Sequence, residues 1–223
     1  MPLLLVDCYL DPSGGHPNFL KYLPEETVVW QAAHQACPVS PGDVSGVVIT
    51  GSAACVGDAL PWLRELSRFV RLLIDHRTPC LGVCFGHQLL AHLCGGRVEK
   101  MAFPEVGWKR IRMVQSSALW NGIEEVFDCF LSHEDEVSDL GSKLRLLASS
   151  ENCTIQAFEH CERPVWGIQF HPEMPTSECL QLLTLRAEKH PHLSLDLETE
   201  QSLLRSSEQL ATQIFHNFIK SVP

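Results

Sequence analysis

Cys84 stands at the centre of the motif G-V-C-F-G, positions 82–86, where its thiol could act as a nucleophile. A short apolar run, 80–83, precedes it and a segment with helical periodicity, 88–94, follows, so the pattern predicts a strand, a sharp turn and a helix. Such a turn exposes the sulfur at the carboxyl end of a sheet, and the free N–H groups of the helix stabilise a thiolate. A small buried cysteine is the alternative interpretation of this motif taken alone.

A cysteine nucleophile needs a base that accepts its proton, and the triplet His171-Pro172-Glu173 supplies an imidazole and a carboxylate. The triplet follows the apolar run 165–170, which predicts a position at the end of a strand. Because the carboxyl ends of parallel strands meet in one crevice, we expect His171 to lie close to Cys84. Glu173 would then orient the imidazole. An ordinary exposed turn is the alternative interpretation of the triplet alone.

The elements that must position these residues predict an α/β fold. In the first part of the chain, apolar strand patterns alternate with helical patterns, which indicates a mostly parallel central sheet flanked by helices. The middle predicts an antiparallel β extension, with short strands at 97–99, 108–114, 126–131, 144–148, 154–158 and 165–170. Helices are predicted at 175–189 and 199–222, separated by a polar break at 190–198. We expect a single domain, 1–223, with a helical C-terminal extension from about residue 174.

Composition restricts the class of protein. A net charge of −10 argues against a nucleic-acid surface and against binding to an anionic membrane. The apolar N-terminal run is too short for a signal peptide or a membrane span. Ten scattered cysteines without a C-x-x-C pair favour reduced thiols in the cytoplasm over disulfides or structural zinc. The basic residues Arg97, Lys100, Lys109, Arg110 and Arg112 are interpreted as solvated strand faces, with a site for an acidic partner or substrate as the alternative.

Four segments in chain order resemble the class I glutamine amidotransferases. The motif C-F-G-H-Q at 84–88 and the motif F-H-P-E at 170–173 carry the likeness. The segment S-H-E-D at 132–135 is similar to one in the amidotransferase domain of GMP synthase, and I-T-G-S at 49–52 stands where the oxyanion loop of the family lies. The likeness spans residues 1 to about 173 and is greatest to free-standing members, with a flavodoxin-like fold. Two of these motifs, C-F-G-H-Q and the segment that begins S-H-E-D, are also similar in sequence to those of γ-glutamyl peptidases.

The resemblance implies a triad of Cys84, His171 and Glu173. Cys84 would attack the γ-carboxamide of glutamine and form a γ-glutamyl thioester. His171 would protonate the departing ammonia and then activate water, while Glu173 holds its tautomer. The backbone N–H groups of Gly51 and Phe85 would stabilise the oxyanion.

The resemblance also implies a binding site for the amino-acid end of the substrate, formed by Gln88, Ser132, His133 and Asp135. Asp135 is the expected partner of the α-ammonium group. A γ-glutamyl substrate has a zwitterionic head and an uncharged reacting group, so the site needs an anion and neutral donors. No metal and no cofactor are expected.

Three functions follow as expectations. The first is cysteine-dependent hydrolysis of glutamine that releases ammonia to an unidentified acceptor, with a partner synthetase protein as the candidate recipient. The second is a γ-glutamyl peptidase that acts on γ-glutamyl amides such as glutathione-type conjugates. The third is a regulatory or partner-dependent component of an amidotransferase. The sequence does not determine the oligomeric state.

Overall fold

Nine strands form one mixed sheet in the computed structural model, which describes residues 1–189 and 204–223. The strands are β1 (Leu3–Asp7), β2 (Val28–Gln31), β3 (Gly46–Ile49), β4 (Cys80–Val83), β5 (Arg97–Met113), β6 (Val126–Asp139), β7 (Leu144–Ser149), β8 (Ala157–His160) and β9 (Val165–Ile168). The helices are α1 (His16–Leu20), α2 (Pro61–Asp75), α3 (Phe85–Leu93), α4 (Thr176–Lys189) and α5 (Leu204–Ile219), and short 3₁₀ turns lie at Pro41–Asp43 and Ala118–Trp120.

The strand order is β2-β1-β3-β4-β9-β8-β7-β5-β6. The strands from β2 to β9 pair in parallel, and all pairs from β9 to β6 are antiparallel. β1, β3 and β4 are buried along their whole length, as expected of parallel strands that are covered on both faces. The predicted fold class, a parallel sheet with an antiparallel extension, is confirmed.

Helices cover both faces of the parallel part of the sheet. On one face α2 and α3 contribute buried residues such as Leu66 and Leu90, and on the other α1 and α5 contribute Phe19 and Phe215. The apolar stripe of α2 accounts for its position, because its buried residues recur at helical spacing. In the described ranges, no helix is long and apolar enough to cross a membrane.

Predicted strand bounds differ from the structure in detail. The strands predicted at 97–99 and 108–114 are one strand, β5, which a bulge interrupts where its register with β6 shifts between Lys100 and Glu105. The strand predicted at 154–158 begins later, at Ala157, because its pairing with β9 begins there. The predicted polar break, 190–198, and the start of the last predicted helix lie outside the described residues.

The turn between β4 and α3 is closely packed at both of its glycines. A methyl group at Gly82 would lie 2.3 Å from the backbone carbonyl of Gly86, and one at Gly86 would lie 2.4 Å from the carbonyl oxygen of Ile49. These distances are well inside van der Waals contact, and backbone atoms cannot move aside as a flexible side chain can. The turn therefore needs a residue without a β-carbon at both positions.

We predict that Gly86→Ala lowers the free energy of unfolding by about 1–3 kcal/mol, because the new methyl group must displace the backbone of β3. Urea unfolding followed by circular dichroism measures this. The matched control is Gly42→Ala, since a β-carbon there meets no atom within 4 Å. Equal stability of the two variants would contradict the packing argument.

Candidate active site

Cys84 connects β4 to α3 in a strained backbone conformation. Its φ and ψ angles are 51° and −103°, in a region that non-glycine residues rarely adopt. Its N–H donates to the carbonyl oxygen of Ile168 at 2.8 Å, and the N–H of Gly86 donates to Thr50 at 3.1 Å, so neighbouring strands hold the turn in place. The Cys84 side chain lines a cavity at this end of the sheet.

His171 and Glu173 lie beside Cys84, after the end of β9. His171 Nδ1 is 2.8 Å from Glu173 Oε1. His171 Cε1 and Cys84 Cβ lie 3.2 and 3.7 Å from the same point, the position of a methyl group on Gly51, so the ring stands close to the cysteine. All three side chains are nearly buried, with exposed fractions of 6% for Cys84, 4% for His171 and 1% for Glu173. The structure therefore brings together the nucleophile, base and acid candidates that the sequence proposed.

The charges around His171 stabilise its protonated form. Burial opposes the charge, but the carboxylate of Glu173 and the sulfur of Cys84 outweigh it, so the pKa of His171 lies well above its ordinary value. The second carboxylate oxygen of Glu173 is buried and has no hydrogen-bond partner in the described part of the chain. An imidazolium at His171 is the charge state that this arrangement favours.

The two candidate oxyanion donors lie on either side of Cys84. A methyl group placed on Gly51 would lie 3.2 Å from His171 Cε1 and 3.7 Å from Cys84 Cβ, so this loop approaches the cysteine closely. Phe85 is the first residue of α3, and the first N–H groups of a helix have no partner within the helix. Their use as oxyanion donors stays a prediction.

A cavity of about 460 Å³ opens above Cys84. The four residues expected to bind the amino-acid end of a substrate all contribute to its lining: Gln88, Ser132, His133 and Asp135. Gln88 is on α3 and the other three are on β6, so the cavity lies where the helix meets the antiparallel part of the sheet.

Hydrogen bonds set the orientation of the groups at the inner end of this cavity. Gln88 Nε2 donates to the Asp135 carbonyl oxygen at 2.8 Å and to Gln169 Oε1 at 3.1 Å, so its own Oε1 is the atom left for other partners. The Asp135 carboxylate beside the Cys55 thiol, together with burial, raises the pKa of Cys55 to about 11. This end of the cavity thus offers acceptors suited to an ammonium group.

Charged residues that the sequence did not assign to the site form the outer part of the cavity. Glu134 contacts Arg186 of α4, and its other carboxylate oxygen lies 3.9 Å from Lys100 Nζ. α4 also contributes Leu182 and Leu185 to the lining. Lys100 was visible in the sequence only as one member of a basic cluster, and no local pattern placed Arg186 near the cysteine.

Tyr9 is a second neighbour that sequence reasoning missed. Its hydroxyl oxygen lies 3.8 Å from the position of a methyl group on Gly51. Burial and the nearby charges of Glu173 and Cys84 raise its pKa well above the ordinary value, which keeps the hydroxyl protonated. Tyr9 follows β1, and no motif marks it.

Comparison with known proteins identifies relatives of this chain. The sequence model of the family described as glutamine amidotransferase class-I matches residues 18–183. The glutamine-hydrolyzing GMP synthase of Caldicellulosiruptor saccharolyticus is 42% identical over 133 residues, which cover 60% of this chain and 25% of that protein. A glutamine-hydrolyzing GMP synthase subunit from Saccharolobus solfataricus is 33% identical over 132 residues, which cover 59% of this chain and 69% of that relative. The match thus spans only a quarter of the first relative.

Solved structures show the same fold. A glutamine amido transferase from Methylobacillus flagellatus has a TM-score of 0.82 at 23% identity, with 100% of this chain and 95% of that chain covered. A glutamine amidotransferase from Thermotoga maritima has a TM-score of 0.80 at 17% identity, with 99% and 97% covered. At these identities the likeness shows the fold alone.

We predict that Glu173→Gln lowers the pKa of His171 by about 1 to 3 pH units, because the variant removes the negative charge that stabilises the imidazolium. Histidine ring signals followed by NMR across a pH titration measure this. Glu178→Gln, an exposed change nearby on α4, is the control and should leave the His171 titration as it is. A His171 titration that is the same in Glu173→Gln as in the unaltered protein would contradict the pairing.

Proposed function

This chain belongs to the class-I glutamine amidotransferase family, and from that premise we propose that it hydrolyses the γ-amide of glutamine at Cys84 and releases ammonia for transfer. The observation that carries the proposal is that the His171 ring stands close to Cys84 and lies 2.8 Å from the Glu173 carboxylate. A nucleophile, a base and an orienting acid in contact at the inner end of a cavity support nucleophilic acyl transfer.

The first half-reaction forms a thioester. The Cys84 thiolate attacks the carbonyl carbon of the γ-carboxamide, and the N–H groups of Gly51 and Phe85 stabilise the oxyanion, each worth about 10²–10³ in rate. The C–N bond breaks as the His171 imidazolium gives its proton to the leaving nitrogen. Ammonia departs, and the γ-glutamyl group remains bound to sulfur.

The second half-reaction releases glutamate. His171, now neutral, accepts a proton from water as the water oxygen attacks the thioester carbon. The C–S bond breaks, and the thiolate and imidazolium form again. Glu173 holds the ring through Nδ1, which leaves Nε2 for the reacting groups in both halves.

The substrate head would occupy the inner end of the cavity. The carboxylate of Asp135 and Oε1 of Gln88 are acceptors for the α-ammonium group, and Ser132 offers a hydroxyl for the α-carboxylate. This arrangement supplies an anion and neutral groups, which match a zwitterion next to an uncharged amide.

Hydrolysis of larger γ-glutamyl amides is the second candidate function. A cavity of about 460 Å³ is of the size that holds drug-sized ligands, whereas glutamine is small. Lys100 and Arg186 at its outer part would attract an anionic leaving group, such as the carboxylate of a peptide. The acyl-enzyme is the same in both functions, and only the leaving group differs.

The ammonia acceptor is proposed to belong to another protein. Relatives of this chain include proteins named as individual subunits of a glutamine-hydrolyzing GMP synthase. A chain that corresponds to one of those subunits would deliver ammonia to a synthetase partner and could require that partner for full activity. A cytoplasmic location stays a prediction.

We predict that Cys84→Ala abolishes ammonia release from glutamine and leaves the unfolding transition in place, because the variant removes the attacking sulfur from a small buried site. Ammonia is measured by a coupled dehydrogenase assay, and intact mass reports the acyl group on Cys84. Cys161→Ala, which changes an exposed cysteine, should retain full activity. Turnover by Cys84→Ala would disprove the thioester mechanism.

We predict that Arg186→Ala distinguishes the two candidate substrates. If γ-glutamyl peptides are substrates, the variant should lower kcat/KM for them by about tenfold, since a charge-assisted contact is lost, and leave glutamine within about twofold. Arg110→Ala, an exposed change on β5, is the matched control. Ammonia and free amine are scored separately, and a protein that releases ammonia from glutamine but no amine from peptides would contradict the second function.

A further inference from the structure

Glu105 and His133 form a buried pair behind the wall of the cavity. They stand directly opposite each other in the β5–β6 ladder, and each is only 3% exposed. Glu105 Oε2 lies 3.1 Å from His133 Nε2. The carboxylate also accepts from Gln156 Nε2 at 2.9 Å and from the Ser150 hydroxyl at 3.3 Å. Both carboxyl oxygens of Glu105 thus have hydrogen-bond partners inside the protein.

The second ring nitrogen of His133 faces an atom that can only accept. His133 Nδ1 lies 2.9 Å from the carbonyl oxygen of Asp135, so Nδ1 must carry a hydrogen. Nε2 faces the carboxyl group of Glu105, which is able to accept a hydrogen bond from the ring or to donate one to it. Glu105 therefore holds the ring in the orientation in which Nδ1 donates to Asp135.

This pair is connected to the cavity through the Asp135 carbonyl oxygen. That oxygen accepts from His133 Nδ1 and also from Gln88 Nε2 at 2.8 Å. Gln88, Asp135 and His133 all contribute to the cavity lining, but the His133 side chain is only 1% exposed and both of its ring nitrogens are engaged inside the protein. His133 therefore holds the backbone at Asp135 and, through it, the amide of Gln88.

We infer that Glu105 is a positioning residue, which holds the His133 ring with its Nδ1 hydrogen on the Asp135 carbonyl so that Asp135 and Gln88 present a preformed site to the amino-acid head of the substrate. The inference rests on the proposed function for the identity of that substrate. It changes the expected role of His133, which acts from behind the wall through the Asp135 carbonyl and not through direct contact of its ring with the substrate.

A metal ion is the competing explanation of the same cluster. Glu105, His133 and Cys153 offer three ligand atoms within 4.8 Å of one another, in the part of the chain that the structure describes. Hydrogen bonds already occupy the Glu105 carboxylate and the facing His133 nitrogen. Burial also raises the pKa of the Cys153 thiol well above its ordinary value, which opposes the thiolate that a metal requires.

Nitrogen NMR of the histidine rings tests the position of the hydrogen directly. The unaltered protein should show hydrogen on His133 Nδ1, with the signal assigned by its loss in His133→Gln. In Glu105→Gln the hydrogen should stay on Nδ1, because the introduced amide can donate to Nε2. Glu99→Gln, an exposed change on the same strand, should leave the His133 signals unaltered.

Kinetics test the positioning role. Glu105→Leu should raise KM for glutamine by about tenfold or more and change kcat by less than about threefold. The reason is that Asp135 and Gln88 are no longer held in place for the substrate head, while Cys84, His171 and Glu173 remain. Glu105→Gln should stay within about threefold of the unaltered protein in both constants, since a neutral His133 with hydrogen on Nδ1 still bonds to Asp135.

Several results would overturn the inference. A His133 ring without hydrogen on Nδ1 in the unaltered protein would do so, as would one equivalent of zinc per chain that Glu105→Gln removes, measured by elemental analysis. A loss of kcat in Glu105→Leu at unchanged KM would indicate a merely structural role. If Glu105→Leu does not fold, the ring signals of Glu105→Gln decide. A protein that shows hydrogen on His133 Nδ1 but no glutamine turnover would disprove the proposed function without contradicting the contact between Glu105 and His133.

Discussion

The close packing of the turn at Cys84 is the constraint on which the rest of the site depends. Backbone atoms lie where β-carbons would stand at Gly82 and Gly86, so the chain can reverse direction directly beneath the cysteine. The parallel ladder from β3 through β4 to β9 then sets three groups at one end of the sheet: the loop at Gly51, the sulfur of Cys84 and the ring of His171. A strained φ at Cys84 accompanies this geometry.

The wall of the cavity comes from the other half of the sheet. β6 carries the segment 132–135, and β5 bulges opposite Glu134, where residues 101–104 face a single residue of its partner strand. α4 packs on this bulged pair through buried residues that include Leu183. The groups expected to react lie at or beside the turn, whereas three of the four residues expected to bind the amino-acid end of the substrate lie on β6. The wall of the cavity can therefore vary without disturbing the turn.

Buried carboxylate–imidazole pairs recur on both sides of the cavity. Glu173 faces His171 beside the sulfur, and Glu105 faces His133 behind the wall. In each pair one nitrogen of the ring meets the carboxylate, which sets where the hydrogens are. The first pair leaves the other nitrogen available to the cysteine, whereas the second directs it to a backbone carbonyl. The same chemistry thus supports a reacting group in one place and, as we infer, a fixed wall in the other.

Local patterns in the sequence determined the strand–turn–helix at Cys84, the apolar strands and the α/β class, because each depends on neighbours a few positions apart. They also supplied the residue types of the candidate triad. Only the tertiary structure decided that β5 is one bulged strand, that Arg186 reaches Glu134, and that Glu105 stands behind His133. Those contacts join residues from distant parts of the chain. No short-range periodicity records them, since they arise from the register of paired strands and the packing of a helix across them.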